Sequence, residues 1–239
     1  MRYFSKVIFL LLLSGFTYSG ELHPVTDVVK IKVVTEDSFP LQYFESGKLS
    51  GFATTLVEQV LDAANISYHI EVLPWARAYR VALYEPNVLI YSIAKTSKRA
   101  DKFKWVGEIK ALDYYLYGAI DSSVNPQTTL EELKQYRIGV IRDSAVYQYL
   151  HGHDFKNLTT VVQGKQNLLL FQQNRIDLLP ANKLTFQAIC KKKALNCQSL
   201  KALYKLDMPA IKLYMALSQL SDDALVEKVR AGYRQVMKQ

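Results

Sequence analysis

Hydroxyl groups and a guanidinium follow one apolar stretch of this sequence at close spacing. The stretch, Asn87 to Ile93, is dominated by β-branched and aromatic residues, which is typical of a strand buried on both faces. Ser92, Thr96 and Arg99 lie at its carboxyl end. In open α/β sheets the ligand crevice forms at the carboxyl ends of the strands, so Arg99 could pair with a bound anion there. A surface salt bridge is the other interpretation of Arg99, because exposed arginines are common.

A second group of chemically useful residues ends the first alternating strand, Val28 to Thr35. Glu36, Asp37 and Phe39 follow that strand directly, ahead of Pro40. This strand end is therefore another candidate edge of the crevice, and its carboxylates could supply negative charge. Either carboxylate could instead cap a turn.

Aromatic side chains could form a stacking wall beside these charges. Phe39, Phe52 and Trp75 are the candidates, although aromatic residues are more often plain core, and Phe52 could be only that. Trp75 and Arg77 follow Pro74 at a strand-to-helix junction. Arg77 could be a second anion donor or a stacking plane, or it could form a salt bridge on the first helical turn.

The elements that position these residues follow from hydrophobic periodicity. Helices are predicted at about 54–64, 74–84, 130–136, 143–150, 165–174, 185–192 and from Ser221 onwards. Strands or extended segments are predicted at 28–35, 67–73, 87–93, 110–119, 137–141, 158–162, 176–179 and 208–217. Thr55 and Glu58 resemble a capping box, and Ser221 is the predicted cap of the last helix. The alternation of strands and helices predicts an α/β fold with two α/β units.

The amino terminus has the pattern of a secretory signal peptide over residues 1–19. Arg2 and Lys6 precede an apolar run, Val7 to Leu13, which is too short to span a bilayer. Small residues follow, and cleavage is predicted after Ser19, with Gly20 as the alternative. The expected location is the periplasm.

Charge and motifs exclude several functions. Without residues 1–19 the formal charge is 28 minus 22, or +6, but no basic run exceeds three residues, so nucleic-acid binding is not expected. No nucleophile elbow, phosphate loop or zinc motif occurs, and no cofactor is expected. His151 and His153 could hold a metal only weakly, so no metal site is expected. Cys190 and Cys197 could form a disulfide in an oxidising compartment or remain buried thiols.

Six short blocks along the chain resemble, in order, the signature blocks of the family 3 periplasmic solute-binding proteins. This family comprises the extracytoplasmic receptors of polar amino acid ABC importers. The blocks are Thr35 to Pro40, Gly51-Phe52, Pro74-Trp75-Ala76-Arg77, Thr96-Ser97-Lys98-Arg99, Gly139-Val140 and Asn174-Arg175-Ile176-Asp177.

The resemblance implies a type II periplasmic-binding-protein fold, in which two α/β lobes are joined by two crossing segments. Lobe one would comprise residues 20–112 and 213–239, and lobe two residues 113–212. A small amino-acid-like or carboxylate ligand would bind between the lobes and close the hinge. The closed form of a monomer would then dock on an ABC permease in the inner membrane.

The same resemblance assigns roles to individual residues. Arg99 would pair with the ligand's α-carboxylate, and Ser92 would supply a hydroxyl, while Ala94 stands where the family has a second hydroxyl. Ser144 would lie at an anion-binding helix amino terminus, beside Ala145.

Asn182 departs from the family pattern. The family's aspartate at this position pairs with the α-ammonium, whereas an amide accepts a hydrogen bond without supplying charge. Glu36 or Asp37 could replace that charge, and Tyr114 and Tyr115, at the hinge, could touch the ligand.

Two other functions fit this scaffold. Periplasmic dehydratases that act on cyclohexadienyl substrates resemble the family in fold, and such chemistry would use Glu36 as the proton donor. A sensory or accessory domain would report the ligand to a membrane partner without transport.

Overall fold

The computed structural model describes residues 30–125, 127–192, 196–208 and 211–238. The predicted signal peptide lies outside these residues. Within the described part of the chain, no helix combines the length and the apolar character needed to cross a membrane.

The elements alternate along the chain as an α/β protein requires. The strands are β1 (Lys30–Thr35), β2 (Tyr43–Glu45), β3 (Lys48–Ser50), β4 (Ser67–Val72), β5 (Val88–Ala94), β6 (Phe103–Leu112), β7 (Tyr114–Ala119), β8 (Ile138–Ile141), β9 (Leu158–Val161), β10 (Leu179–Asn182), β11 (Leu200–Lys205) and β12 (Ile211–Ser218). The helices are α1 (Phe52–Ala63), α2 (Trp75–Tyr84), α3 (Ala145–Gly152), α4 (Gly164–Gln172), α5 (Lys183–Lys191) and α6 (Asp223–Val236).

The first lobe is built on a five-stranded sheet of order β4-β1-β5-β12-β6. β1 pairs in parallel with β4 and β5, while β12 runs antiparallel to β5 and β6. Helices α1 and α6 cover one face of the sheet, and α2 covers the other. The carboxyl ends of β1 and β5 therefore lie side by side, and the two groups of polar residues that were predicted as crevice edges meet at one edge of the sheet.

The second lobe contains a three-stranded antiparallel sheet, β10-β7-β11, and the parallel pair β8-β9. An isolated bridge between Ile138 and Leu178 connects the two. Helices α3, α4 and α5 each follow a strand of this lobe, and their amino termini lie at the carboxyl ends of β8, β9 and β10. The predicted α/β class is confirmed.

The chain passes between the sheets twice. The first crossing joins β6 to β7 at Asp113, and the second joins β11 to β12. The crossings lie beside each other, because Leu112 pairs with Ile211 and the Leu206 N–H donates to the Tyr114 carbonyl. The lobe boundaries at 112/113 and 212/213 stay predictions.

Two predicted helix caps were wrong. Helix α1 begins at Phe52 rather than at 54, and it has no side-chain cap because its N-cap residue is Gly51; the Thr55 hydroxyl donates back to the Gly51 carbonyl at 3.3 Å. Helix α6 is capped by Asp222, which accepts from the N–H groups of its first turn. Ser221 instead accepts from the Asn87 N–H at 3.1 Å, which ties α6 to the start of β5.

Several element boundaries in the second half were also wrong. The segment predicted as a helix at 130–136 is a short 3-10 turn, Glu132–Gln135, and the strand predicted at 176–179 is β10, Leu179–Asn182. The apolar residues of 176–179 are buried, but Leu178 makes only an isolated bridge. Strands β2, β3 and β11 and most of β6 were not predicted. β2 and β3 have three residues each, which is too few to show a period, and β6 and β11 mix polar and apolar residues without strict alternation.

Candidate functional site

The candidate site is a cavity of ≈ 290 Å³ between the two lobes. The first lobe lines it with the ends of β1 and β5 and the start of α2, and the second with the amino termini of α3, α4 and α5. Of the residues proposed from sequence, the cavity brings together Glu36, Phe39, Trp75, Ser92, Arg99, Ser144 and Asn182.

Other proposed residues lie away from the cavity wall. Arg77 is exposed on α2, and Phe52 is 40% exposed at the start of α1, so Phe52 is neither core nor cavity wall. The Thr96 hydroxyl is buried and lacks a hydrogen-bond partner in the described structure. Tyr114 lines the cavity, whereas its neighbour Tyr115 does not.

Arg99 is the most deeply buried charge of the site, with 1% of its surface exposed. Its Nη2 donates to the Asp143 carbonyl at 2.8 Å and its Nη1 to the Ala94 carbonyl at 3.4 Å. Its guanidinium carbon lies 5.2 Å from the Trp75 ring centroid and 4.9 Å from that of Tyr79. Burial lowers the pKa of Arg99, and Tyr79, Asp143 and Glu36 act against that shift. Arg99 is thus a desolvated cation held by carbonyls and aromatic faces.

Trp75 contacts the second lobe at the same point. It is 4% exposed, and its Nε1 donates to the Asp143 carbonyl at 3.1 Å. Asp143 has a positive φ of 59°, immediately before Ser144, the N-cap of α3. Ser144 accepts from the Tyr147 N–H at 3.1 Å, so its hydroxyl oxygen caps the amino terminus of α3.

Glu36 is a carboxyl group of the cavity with a raised pKa. Burial raises its pKa to about 7, the neighbouring Asp37 carboxylate adds to the rise, and Arg99 opposes it. A carboxyl in this state exchanges its proton close to neutral pH, and an added cation would favour its ionised form.

Ser92 and Asn182 both use their side chains within the protein. Ser92, at φ 57°, donates to Gln42 Oε1 at 2.8 Å. Asn182 is 4% exposed and caps α5 by accepting from the Thr185 N–H at 2.8 Å. Its side chain also hydrogen-bonds to the Tyr114 hydroxyl, which partly offsets the rise that burial causes in the pKa of Tyr114.

The rim of the cavity carries an inter-lobe contact. Phe39 and Tyr43 form an edge-to-face pair, with ring centroids 4.6 Å apart. Lys192, at the carboxyl end of α5, places its Nζ 3.9 Å from the Phe39 centroid and 4.7 Å from the Tyr43 centroid. Just before Lys192, Cys190 is bonded to Cys197, with a Cα–Cα distance of 5.7 Å.

Sequence reasoning missed the contribution of α4. Gly164, Lys165 and Asn167 line the cavity, and Asn167 is 5% exposed. The sequence signal for this contribution was a single polar residue, Asn167, within an apolar helical stretch. The hydrophobic period of that stretch did not show that Asn167 would face the cavity. Among the described residues, no group of three or more His, Cys, Asp or Glu side chains could hold a metal ion.

Comparison with known proteins supports the fold. Neither protein-family models nor curated protein sequences give a match. Among solved structures, a histidine kinase sensor domain with similarity to periplasmic binding proteins has a TM-score of 0.76 and 17% identity, over 88% of this chain and 90% of that one.

Two amino-acid-binding proteins are similar to the same extent. Holo ArgBP from T. maritima has a TM-score of 0.74 and 15% identity, over 87% of this chain and 90% of that one. The arginine-, lysine-, histidine-binding protein ArtJ from Geobacillus stearothermophilus has a TM-score of 0.75 and 16% identity, with the same coverage. These similarities show a two-lobed periplasmic-binding-protein fold.

Proposed function

We propose that the chain is a periplasmic solute-binding protein that captures a small amino-acid-like or carboxylate ligand between its lobes for an ABC importer. The observation that carries this proposal is the inter-lobe cavity, which is lined from both lobes and contains Arg99 and Glu36. The similarity to arginine-binding proteins supports an amino-acid-like ligand.

The charges of the cavity favour a ligand that carries both signs. Arg99 and Lys165 supply positive charge, and Glu36 and Asp37 supply negative charge. A carboxylate would lie at Arg99, near the amino terminus of α3, where helix N–H groups also favour an anion. An ammonium would lie near Glu36, because Asn182 brings no charge and its amide oxygen already caps α5.

A thermal-shift screen of amino acids, di-acids and polyamines tests ligand binding, because a ligand that binds only the folded chain raises its melting temperature. The best ligand is then titrated by calorimetry into wild type, Arg99→Ala and Arg77→Ala. We expect Arg99→Ala to weaken binding by more than about tenfold, or roughly 1.4 kcal/mol. Arg77→Ala is the matched control, because Arg77 lies outside the cavity wall. Equal affinities in all three proteins would contradict the proposed anchor.

A sensory role is the second candidate, and the similarity to a histidine kinase sensor domain favours it. Such a chain would bind the same ligand but transfer the signal to a membrane partner. Ligand-dependent stimulation of substrate uptake by a reconstituted permease supports transport, whereas a ligand-dependent complex with a sensor kinase and no effect on uptake supports sensing.

The raised pKa of Glu36 favours a third candidate, the cyclohexadienyl dehydratase-like enzyme, because a carboxyl that keeps its proton near neutral pH can act as a general acid. Incubation with arogenate or prephenate decides this point. Formation of an aromatic product that is lost in Glu36→Gln supports the enzyme, and no product above the uncatalysed rate removes it.

A further inference from the structure

We propose that Trp75 and Asp143 position the Arg99 guanidinium and, with it, form a latch that holds the two lobes together. The latch is the pair of hydrogen bonds from Arg99 Nη2 at 2.8 Å and Trp75 Nε1 at 3.1 Å to one acceptor, the Asp143 carbonyl. Both donors belong to the first lobe and the acceptor to the second. This proposal goes beyond the proposed function, because it holds whichever ligand the cavity takes.

The second lobe aims this carbonyl by its backbone conformation. Asp143 lies in the left-handed region, with a φ of 59°, which few residues other than glycine adopt, although aspartate is among those that tolerate it. The next residue, Ser144, begins α3 and is fixed by its own capping bond. Gln148, one turn into α3, donates its Nε2 to the same carbonyl at 3.4 Å. The acceptor is therefore part of a rigid helix start.

The first lobe aims the two donors by stacking. The Arg99 guanidinium carbon is 5.2 Å from the Trp75 ring centroid, and Trp75 stacks on Tyr79 with centroids 5.9 Å apart. Arg99 and Trp75 are 1% and 4% exposed, so water can replace their hydrogen bonds to the Asp143 carbonyl only if the structure opens. A cation and an indole that share one acceptor lose it together when the lobes separate.

This arrangement has a consequence for Arg99. One N–H of its Nη2 donates to the Asp143 carbonyl, and this bond fixes the orientation in which the guanidinium meets a ligand anion. Lobe closure and anion recognition thus use the same side chain. Trp75 is a positioning residue, since it acts through Arg99 and the Asp143 carbonyl.

The test compares the only two tryptophans of the chain. Trp105 also donates its Nε1 to a backbone carbonyl, that of Ala100 at 2.8 Å, but within the first lobe. Wild type, Trp75→Phe and Trp105→Phe are refolded from denaturant to remove any bound ligand, and small-angle X-ray scattering measures their dimensions. We expect a larger radius of gyration for Trp75→Phe alone. An unchanged radius in Trp75→Phe, or an equal increase in both variants, overturns the proposal.

If Trp75→Phe fails to fold, a second measurement tests whether the two hydrogen bonds of the latch depend on each other. Hydrogen exchange of the two indole N–H groups is followed by NMR in wild type and in Arg99→Met, which keeps the length of the side chain but removes its donors. We expect exchange at Trp75 to accelerate by at least about tenfold, with Trp105 unchanged, because loss of one latch bond exposes the other to opening. Unchanged exchange at Trp75 refutes the latch. Ligand titration is not part of either measurement, so failure of the proposed function leaves these results interpretable.

Discussion

Glu36 and Arg99 carry opposite charges, and burial in the same cavity shifts the pKa of each towards its neutral form. Burial raises the pKa of Glu36 to about 7 and lowers that of Arg99. Each group partly offsets the shift of the other. The ligand that completes the site must therefore compensate both charges, and an ion that pairs with only one of them leaves the other desolvated.

The ionisation of Glu36 predicts a pH-dependent stability. Its folded-state pKa lies above its ordinary value, so the folded chain binds more protons than the unfolded chain between about pH 4.5 and 7, and stability falls as the pH rises through that window. Glu36→Gln removes the titration. We expect the variant to gain up to about 3 kcal/mol over wild type between about pH 5 and pH 8, measured by urea unfolding. A constant difference across this range would contradict the raised pKa.

The same residue sets the pH dependence of ligand binding. If Glu36 holds the ammonium of the ligand, binding draws on its ionised form, and affinity falls below about pH 7 as the carboxyl takes up its proton. Calorimetry in buffers of different ionisation enthalpy then shows proton release on binding at about pH 7 for wild type and none for Glu36→Gln. Identical proton release in both proteins would assign the linkage to another group.

At the scale of elements, the site is made of strand ends and helix starts. The ends of β1 and β5 were predictable, because an alternating strand and a doubly buried strand have clear hydrophobic patterns ahead of polar residues. The sequence did not give the order of the strands, and it is the parallel pairing of β1 with β5 in the structure that brings Glu36 near Arg99. The hydrophobic pattern could not show which polar side chains form hydrogen bonds within the protein and which face a ligand. Ser92 and Asn182 had the residue types of ligand contacts, yet one holds Gln42 and the other caps α5.

The latch was also invisible in the sequence, for a physical reason. Its acceptor is a backbone carbonyl, which every residue has, and only the φ of Asp143 makes that carbonyl available. Trp75 was chosen as a stacking residue, whereas its hydrogen bond to the other lobe depends on how the lobes meet. Contacts between the two lobes depend on tertiary geometry, which the hydrophobic periodicity of a single helix or strand does not determine.

The capping role of Asn182 leads to a prediction at this scale. Asn182→Ala removes the acceptor for the Thr185 N–H, so we expect the free energy of unfolding to fall by about 1 kcal/mol. Asn182→Ser is the matched control, because serine also caps a helix and brings no charge into a position that is 4% exposed. Urea unfolding should therefore separate alanine from serine at this position. If both variants lose the same stability, the cap is not the main role of the side chain.

For the whole molecule, the question is what holds the lobes closed in addition to a ligand. The latch joins two residues of the cavity wall to Asp143, and the Lys192 contact with Phe39 and Tyr43 lies at the rim, carried by the segment next to the Cys190–Cys197 bond. A cation–π contact such as that of Lys192 is worth about 0.5–2 kcal/mol, depending on how far the cation is desolvated, and each hydrogen bond of the latch adds about 0.5–1.5 kcal/mol. The two contacts together are comparable to the few kcal/mol that commonly separate two conformations of a protein.

Lys192→Met tests the rim contact, since methionine keeps an unbranched apolar side chain but removes the cation. We expect the variant to release a bound ligand faster by roughly threefold to tenfold, because the contact stabilises the closed form from which the ligand must escape, and the contact is worth about 1 kcal/mol. Stopped-flow displacement measures the rate, and Lys183→Met, exposed at the other end of α5, is the matched control. Since a rim contact acts on the closed form alone, the association rate should stay near that of wild type. A variant that slows association while leaving release unchanged would show that Lys192 steers the ligand electrostatically rather than holding the lobes together.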